Sequence, residues 1–421
     1  MRRGNWFYAR RCGPEDRFPM ETATTSHSTH AFKLEFPPKF PCHLKESSTS
    51  MTNSIAEAVA ESHVTRPALG RQSLAGTVDV VIPCYNYARY LRRCVENVLS
   101  QSEVNVRILV IDDASTDESA ELGKDLEASD GRVNFHRHKT NKGHIATYNE
   151  GLIDWSTSEY VMLLSADDLL APGSLSRAVR LMDEDPGIGM VYGRAIHFFK
   201  ESELPKAEPQ RYSVLRYSGT KWAADRCRTG LNVITSPEVV VRGSVQRKVG
   251  GYRTDLPHAG DLEMWLRIAS VSNIGYVRGP AQAYYRVHSS SMQRTKFKSS
   301  LSDLVQRKAA YDSFFAHTED TAIFDEQLHE RAIRALVREA LWDVCRAYDH
   351  NTVDHAVVDE LVDFATKAYP EVASLSEYAA LRRRQVLGPS FCNRTQLFVL
   401  PASYRYVARW LRKERWKRFG I

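Results

Sequence analysis

The 421 residues are more than one catalytic domain of ordinary size requires, and leave room for a second unit of about a hundred residues. With 43% hydrophobic and 26% charged residues the composition is that of a globular protein, and no apolar run approaches the ~18–20 residues that span a bilayer. The formal charge of +6 is concentrated in the last turns, where seven basic residues between Arg405 and Arg418 face Glu414 alone.

Residues 1–75 show no sustained periodicity and are rich in Ser, Thr, Pro and His, as in TATTSHSTH and FPPKFP, so they read as a flexible leader without a packed core. The opening MRRGNWFYARR lacks the apolar stretch of a signal peptide, and Met20 and Met51 are alternative starts. The seven cysteines are scattered, odd in number and never spaced as CxxC, which speaks against a disulfide framework and a cysteine zinc site. A reducing, cytoplasmic setting is expected.

From Val78 short apolar runs alternate with amphipathic stretches. VDVVI reads as a buried strand, and Tyr87, Tyr90, Leu91, Cys94, Val95 and Val98 then recur at helical spacing. VRILVI, RVNFH and YVMLL are further strands with helical segments between them. Such alternation predicts an α/β fold: a mostly parallel sheet with helices on both faces. A helix is expected from about Pro172 to Asp185, followed by the strand GMVYGRAIHF. No GxGxxG follows the first strand, and GIGMVYG at Gly187 has the wrong final spacing, so a dinucleotide-dependent oxidoreductase is disfavoured. After about Arg294 long helical patterns take over, including LSDLVQRKAAYDSFF and EQLHERAIRALVREALWDVCRAY.

In open α/β sheets ligands bind outside the carboxyl ends of the strands. There the chain places Pro83-Cys84-Tyr85-Asn86, then Asp112-Asp113-Ala114-Ser115-Thr116-Asp117, then Ser165-Ala166-Asp167-Asp168. One acidic pair suits a base or ribose, and a second suits a hard divalent cation bridging phosphates. Asp112 and Asp117 also fit as caps of the following helix.

The segments VVIPCYNYARYLRRCVENVLSQ, VIDDASTD, NKGHIATYNEGL, LLSADDLLAPGSL, GDLEMWLRIA and YYRVHSSSM, in this order, resemble the family 2 glycosyltransferases of GT-A fold, over roughly Val78–Met292. The resemblance implies a Rossmann-like GT-A domain at 76–295; the helical patterns beyond it read as a helical appendage at 296–385, and the basic and aromatic residues that follow as a tail at 386–421. It implies that Pro83, Tyr85, Asp112, Asp113 and Asn141 bind the nucleotide, and that Asp167, Asp168 and His288 meet Mg²⁺ or Mn²⁺. Asp261, in the first turn of an amphipathic helix, stands where the family's catalytic base is found, and Ser290 and Ser291 would contact phosphate. Three positions depart from the family: Ser165 stands where an Asp is usual, Gly260 where a Glu is usual, and Tyr148 where an Arg is common. Lys142 could instead bring charge to the donor, or be a solvated loop lysine.

The expected activity is inverting transfer of a sugar from a nucleotide diphosphate, UDP-linked, to a hydroxyl of a glycan or lipid-linked glycan, in bacterial surface polysaccharide assembly. The alternative is a nucleotide-sugar or glycan-binding protein with a vestigial pocket, which Ser165 allows. In SYRYVARWLRKERWKRFGI aromatic residues interleave with the basic cluster, as in a helix lying on an anionic membrane at the inner face of the cell membrane, or as in a solvated helix packed on its neighbours. No nucleic-acid-binding fold accompanies the charge.

Overall fold

The computed structural model describes residues 75–205, 211–288, 299–318 and 325–421. The leader up to residue 74, and Ser290, Ser291 and Met292 of the YYRVHSSSM segment, lie outside the described residues.

Strand β1 (Ala75–Cys84) buries both faces, Val80 and Ile82 toward one hydrophobic core and Val81 toward another, as a period of two requires. Asp79, its one charge, is fully buried and must be paired. Its carboxylate accepts from the amides of Thr157 and Ser158 at 2.8 and 2.9 Å and pairs with Arg107 at 3.3 Å, which clamps the turn entering β4. Helix α1 (Ala88–Leu99) buries Leu91, Cys94, Val95 and Val98 on the stripe its sequence predicts.

The chain then runs through β2 (Val104–Asp112), α2 (Ser119–Ser129), β3 (Val133–Arg137) and α3 (His144–Asn149), which continues as a π-helical turn over Glu150–Trp155. Strands β4 (Tyr160–Leu163) and β5 (Leu169–Leu170) flank the second acidic segment. Helix α4 (Ser174–Glu184) starts two residues after the Pro172 expected to open it, because Gly173 sits in the left-handed region at φ +71°. Then follow β6 (Ile188–Phe198), β7 (Ser213–Tyr217), α5 (Gly219–Thr229), β8 (Val240–Arg242), α6 (Gly243–Val249), α7 (Gly260–Val271) and β9 (Asn273–Arg286).

Among the described residues, nine strands form one sheet in the order β3-β2-β1-β4-β8-β6-β9-β5, with β7 on β9. The run β3-β2-β1-β4 is parallel, as is β6 with β9, while β8, β5 and β7 pair antiparallel. The parallel half brings the ends of β1, β2 and β4 to one edge, with Cys84 beside Asp112 and Val81 beside Leu163. Gly151 makes one packing step possible: a Cβ there would stand 2.2 Å from Val81 Cγ1, so only glycine lets the π-helical turn lie on β1.

Beyond the sheet lie α8 (Ser300–His317), α9 (Glu326–Asp349), α10 (His355–Ala368), α11 (Ser376–Leu387), α12 (Pro389–Thr395) and α13 (Val399–Phe419). Side chains of Ser299, Asp325 and Asp354 cap α8, α9 and α10. Tyr311, Phe314, Leu336 and Val337 share a core with Trp222 and Cys227 of α5 and Leu266 of α7, so these helices continue the α/β core. Arg384 is buried and pairs with both oxygens of Asp349 at 2.8 and 3.0 Å, and Arg405 lies 4.1 Å from the Trp342 ring centroid. The chain end is tied back to the sheet: the hydroxyls of Tyr192, Tyr217 and Tyr276 donate to the carbonyls of Gly420, Phe419 and Lys417. No helix among the described residues is long and apolar enough to cross a membrane.

Candidate active site

The ends of β1 and β2 are knitted together by their own backbone. Asp113 N donates to Cys84 O at 2.9 Å, and Asn86 N to Ser115 Oγ at 2.9 Å. Asn86 and Ala114 both take left-handed φ, which turns the two loops toward each other. Pro83 ends on this edge, and the Tyr85 ring is 48% exposed, free to cover a planar ligand. Asp117 binds inward, accepting from Ala88 N and Ser119 N at 3.1 and 3.0 Å, so its carboxylate ties the start of α1 to that of α2, although Glu118 and not Asp117 is the N-cap residue of α2.

Asp112 is fully buried; it accepts from Ser115 N at 3.1 Å and pairs with Arg137 Nε at 3.2 Å. Asp113 organises the loop before α3: Oδ1 accepts from Lys142 N and Oδ2 from Gly143 N, at 2.7 and 2.9 Å. Asn141 Nδ2 donates to Asp113 O at 3.1 Å. Asp112, Asp113 and Asn141 therefore form one cluster beside Pro83 and Tyr85. Lys142 Nζ turns to Glu150 Oε2 at 2.8 Å. Asn149 fastens the segment before α7, bonding both N and O of Tyr252 at 2.6 and 2.9 Å.

The β4–β5 turn carries the second cluster. Asp167 Oδ1 accepts from Ser165 Oγ at 2.6 Å, and Oδ2 lies 2.8 Å from His288 Nε2. The residue in place of the usual Asp thus serves as a donor that fixes Asp167. Asp168 turns inward and accepts from Arg286 N at 2.8 Å. Burial, and then the charge of Asp167, push the Asp168 carboxyl well above the usual carboxylate range, with the Arg286 amide and guanidinium opposing. Arg286 also donates to Asp167 O at 2.8 Å and lies 4.5 Å from the Tyr90 ring centroid, while Tyr87 OH stands 3.5 Å from His288 Nε2.

Asp261 lies in the first turn of α7, where the helix dipole favours a carboxylate. Ser236 Oγ donates to Oδ2 at 2.9 Å, and Tyr252 bonds the same carboxylate. Burial raises the Asp261 pKa against the pull of these hydroxyls and of His258 and His144. Burial also raises Tyr148, with Asp261 and then Asp167 adding to the shift, and Tyr285 responds to Asp168, Asp167 and Asp261.

A divalent cation fits the Asp167–His288 pair chemically: a carboxylate oxygen and an imidazole nitrogen face each other across 2.8 Å, and an ion would replace the proton between them. In Asp168 the oxygen Oδ1 is already committed to Arg286 N.

Sequence reasoning missed Tyr87, Tyr90 and Arg286 around His288, and Ser236 and Tyr252 around Asp261. Arg286 and His288 stand two apart at a strand end, a spacing that puts both on one face. Nothing local marks Ser236, which reaches Asp261 from 25 residues away.

The Glycosyl transferase family 2 model matches residues 79–235. The chain is 35% identical over 118 residues to glycosyltransferase GlyG of Streptococcus pneumoniae, covering 27% of this chain and 39% of that protein. It is 29% identical over 152 residues to an uncharacterized glycosyltransferase of Nostoc, covering 34% of this chain and 47% of that protein. The match thus spans less than half the length of these relatives. Among solved structures, the 1–349 segment of S. aureus TarS in complex with UDP-GlcNAc superposes with a TM-score of 0.55 at 13% identity, covering 77% of this chain and 92% of that one. That likeness shows the fold, a GT-A sheet with a helical region after it.

Proposed function

We propose that the chain moves a sugar from a nucleotide diphosphate to a hydroxyl acceptor with inversion at the anomeric carbon, a reading supported by the match of residues 79–235 to the Glycosyl transferase family 2 model. Pro83, Tyr85, Asp112, Asp113 and Asn141 hold the nucleotide, with UDP the base-bearing group of choice. Asp167 and His288 hold Mg²⁺ or Mn²⁺, the imidazole leaning toward Mn²⁺, with Asp168 shaping the turn beneath. A cation bound there neutralises the charge that develops on the departing diphosphate.

Asp261 accepts the proton of the acceptor hydroxyl as that oxygen bonds the anomeric carbon, and the carbon–phosphate oxygen bond breaks with its electron pair leaving on the diphosphate. A raised pKa makes Asp261 a stronger base once ionised, and Ser236 and Tyr252 hold it in place. The observation that carries this reading is the Asp167–His288 pair at 2.8 Å, in a chain whose residues 79–235 match the Glycosyl transferase family 2 model. Acceptor-dependent release of UDP from UDP-sugars in Mn²⁺ tests it: wild type turns over and Asp261→Asn does not. Nucleotide binding with no donor turnover in wild type would favour the alternative, a binding protein with a vestigial pocket.

We also propose an anionic membrane surface as the setting, with a glycan or lipid-linked glycan as acceptor. Most exposed large hydrophobic side chains among the described residues fall between Val386 and Leu411, including Leu397, Tyr404, Tyr406, Val407 and Trp410. Arg409 and Arg412 are interspersed on exposed positions of the same helix. Each cation near an anionic surface contributes ~1 kcal/mol, and the aromatic side chains suit the headgroup boundary. Tyr404 and Trp410 together changed to Ser should weaken sedimentation with phosphatidylglycerol vesicles; unchanged sedimentation would remove the membrane from the account.

A further inference from the structure

His136 and His138 stand two residues apart at the end of β3, and the opening residue of the π-helical turn, Glu150, faces them. His136 Nε2 lies 3.2 Å from Glu150 Oε1, and His138 Nε2 lies 2.9 Å from Glu150 Oε2. The three ligand atoms all fall within 4.8 Å of one another. Tetrahedral ligands at ~2.0–2.1 Å from a zinc ion stand ~3.3 Å apart, so small rotations of these side chains close a coordination shell. The other nitrogen of His138, Nδ1, is 2.7 Å from Asp113 Oδ1, and the His138 side chain is fully enclosed. A carboxylate behind the ring is the arrangement that fixes a metal-binding histidine with Nε2 forward.

We propose that His136, His138 and Glu150 form a site for a zinc-class transition-metal ion, separate from Asp167 and His288. Two imidazoles and one carboxylate suit Zn²⁺ or Co²⁺ better than Mg²⁺ or Ca²⁺. His136 is 53% exposed in its side chain, which leaves the fourth position open to water. Lys142 Nζ now occupies part of the space at 2.8 Å from Glu150 Oε2; its side chain is 48% exposed and can swing outward when the ion enters. Asp113 links the site to function, since the carboxylate behind His138 also holds the amides of Lys142 and Gly143. The site stands on these side chains alone and does not depend on the transferase reading.

The test uses the full chain freed of metal by chelation, titrated with Zn²⁺ by calorimetry and with Co²⁺ by visible absorption. The Asp167→Ala, His288→Ala double variant should keep one tight Zn²⁺ and the intense absorption of four-coordinate Co²⁺. His136→Ala, a change on the exposed rim, should abolish that absorption and weaken Zn²⁺ by more than the ~10–100-fold that loss of an outer hydrogen-bond partner costs such sites. Glu150→Gln should do the same. A double variant that binds no ion, or a His136→Ala protein with wild-type affinity and thermal stability, would overturn the proposal.

Discussion

The turn at Asp167 and the start of α7 at Asp261 each hold a carboxylate, yet they are built from opposite materials. Asp167 sits among His288, Arg286 and a second carboxylate, where charge is managed by charge. Asp261 is held by neutral hydroxyls of Ser236 and Tyr252 in a buried place that disfavours its ionised form. An acid among potential cations can hold a charged ligand without changing its own state. An acid among hydroxyls is poised to take a proton. Two aspartates are given different chemistry by their neighbours.

Substituting one residue in each region should separate the two most sharply. Asp261→Asn should lower kcat by ~10²–10⁴-fold while nucleotide affinity, measured by calorimetry, changes little. His288→Ala should instead weaken nucleotide binding in Mn²⁺ by ~10-fold or more and leave binding in EDTA unaltered, since a metal ligand is lost. The pH profile offers a third contrast. Asp261 must be ionised to act, and burial raises its pKa, so the acid-side decline in kcat/KM should lie above that of an ordinary aspartate. A decline at the usual aspartate pKa would assign the limb to another group.

The smallest effect concerns stability beside Asp261. Glu238 is buried, accepts from Thr235 N at 3.1 Å, and is pushed up to about 8 by burial. Its neutral form is favoured by the fold. The stability it contributes is full below the titration of an unfolded glutamate near ~4.3 and is lost as pH rises through the folded value. Glu238→Gln keeps an acceptor for Thr235 N and cannot ionise, so its Tm should fall less than that of wild type between about pH 5 and pH 8. Parallel Tm curves for the two proteins would contradict this.

The parallel half of the sheet was legible because short, nearly continuous apolar runs such as VDVVI and VRILVI end in polar residues, and strand ends in such sheets share an edge. Asp112, Asp113 and Asn141 are adjacent for that reason. The environment of Asp261 was not legible, because Ser236 and Tyr252 reach it from separate segments and carry no pattern of their own. Asp168 shows another limit: its neighbour faces His288 while its own carboxyl turns to Arg286 N, a choice of rotamer and turn that adjacency in sequence does not encode. The tail was half legible. Interleaved aromatic and basic residues announced a helix, but only the fold sorts them, placing Tyr404, Tyr406 and Trp410 outward while the last residues bond Tyr192, Tyr217 and Tyr276.

The central claim is that the Asp167 side of the pocket holds a nucleotide diphosphate through a cation and the Asp261 side does the chemistry. Calorimetric titration of UDP, GDP and dTDP in Mn²⁺ and in EDTA, on wild type, Asp167→Ala and Asp261→Asn, tests it most directly. The account predicts Mn²⁺-dependent binding of one nucleotide, weakened in Asp167→Ala and retained in Asp261→Asn. Binding that ignores the cation, or a well-folded wild type that binds no nucleotide, would contradict it.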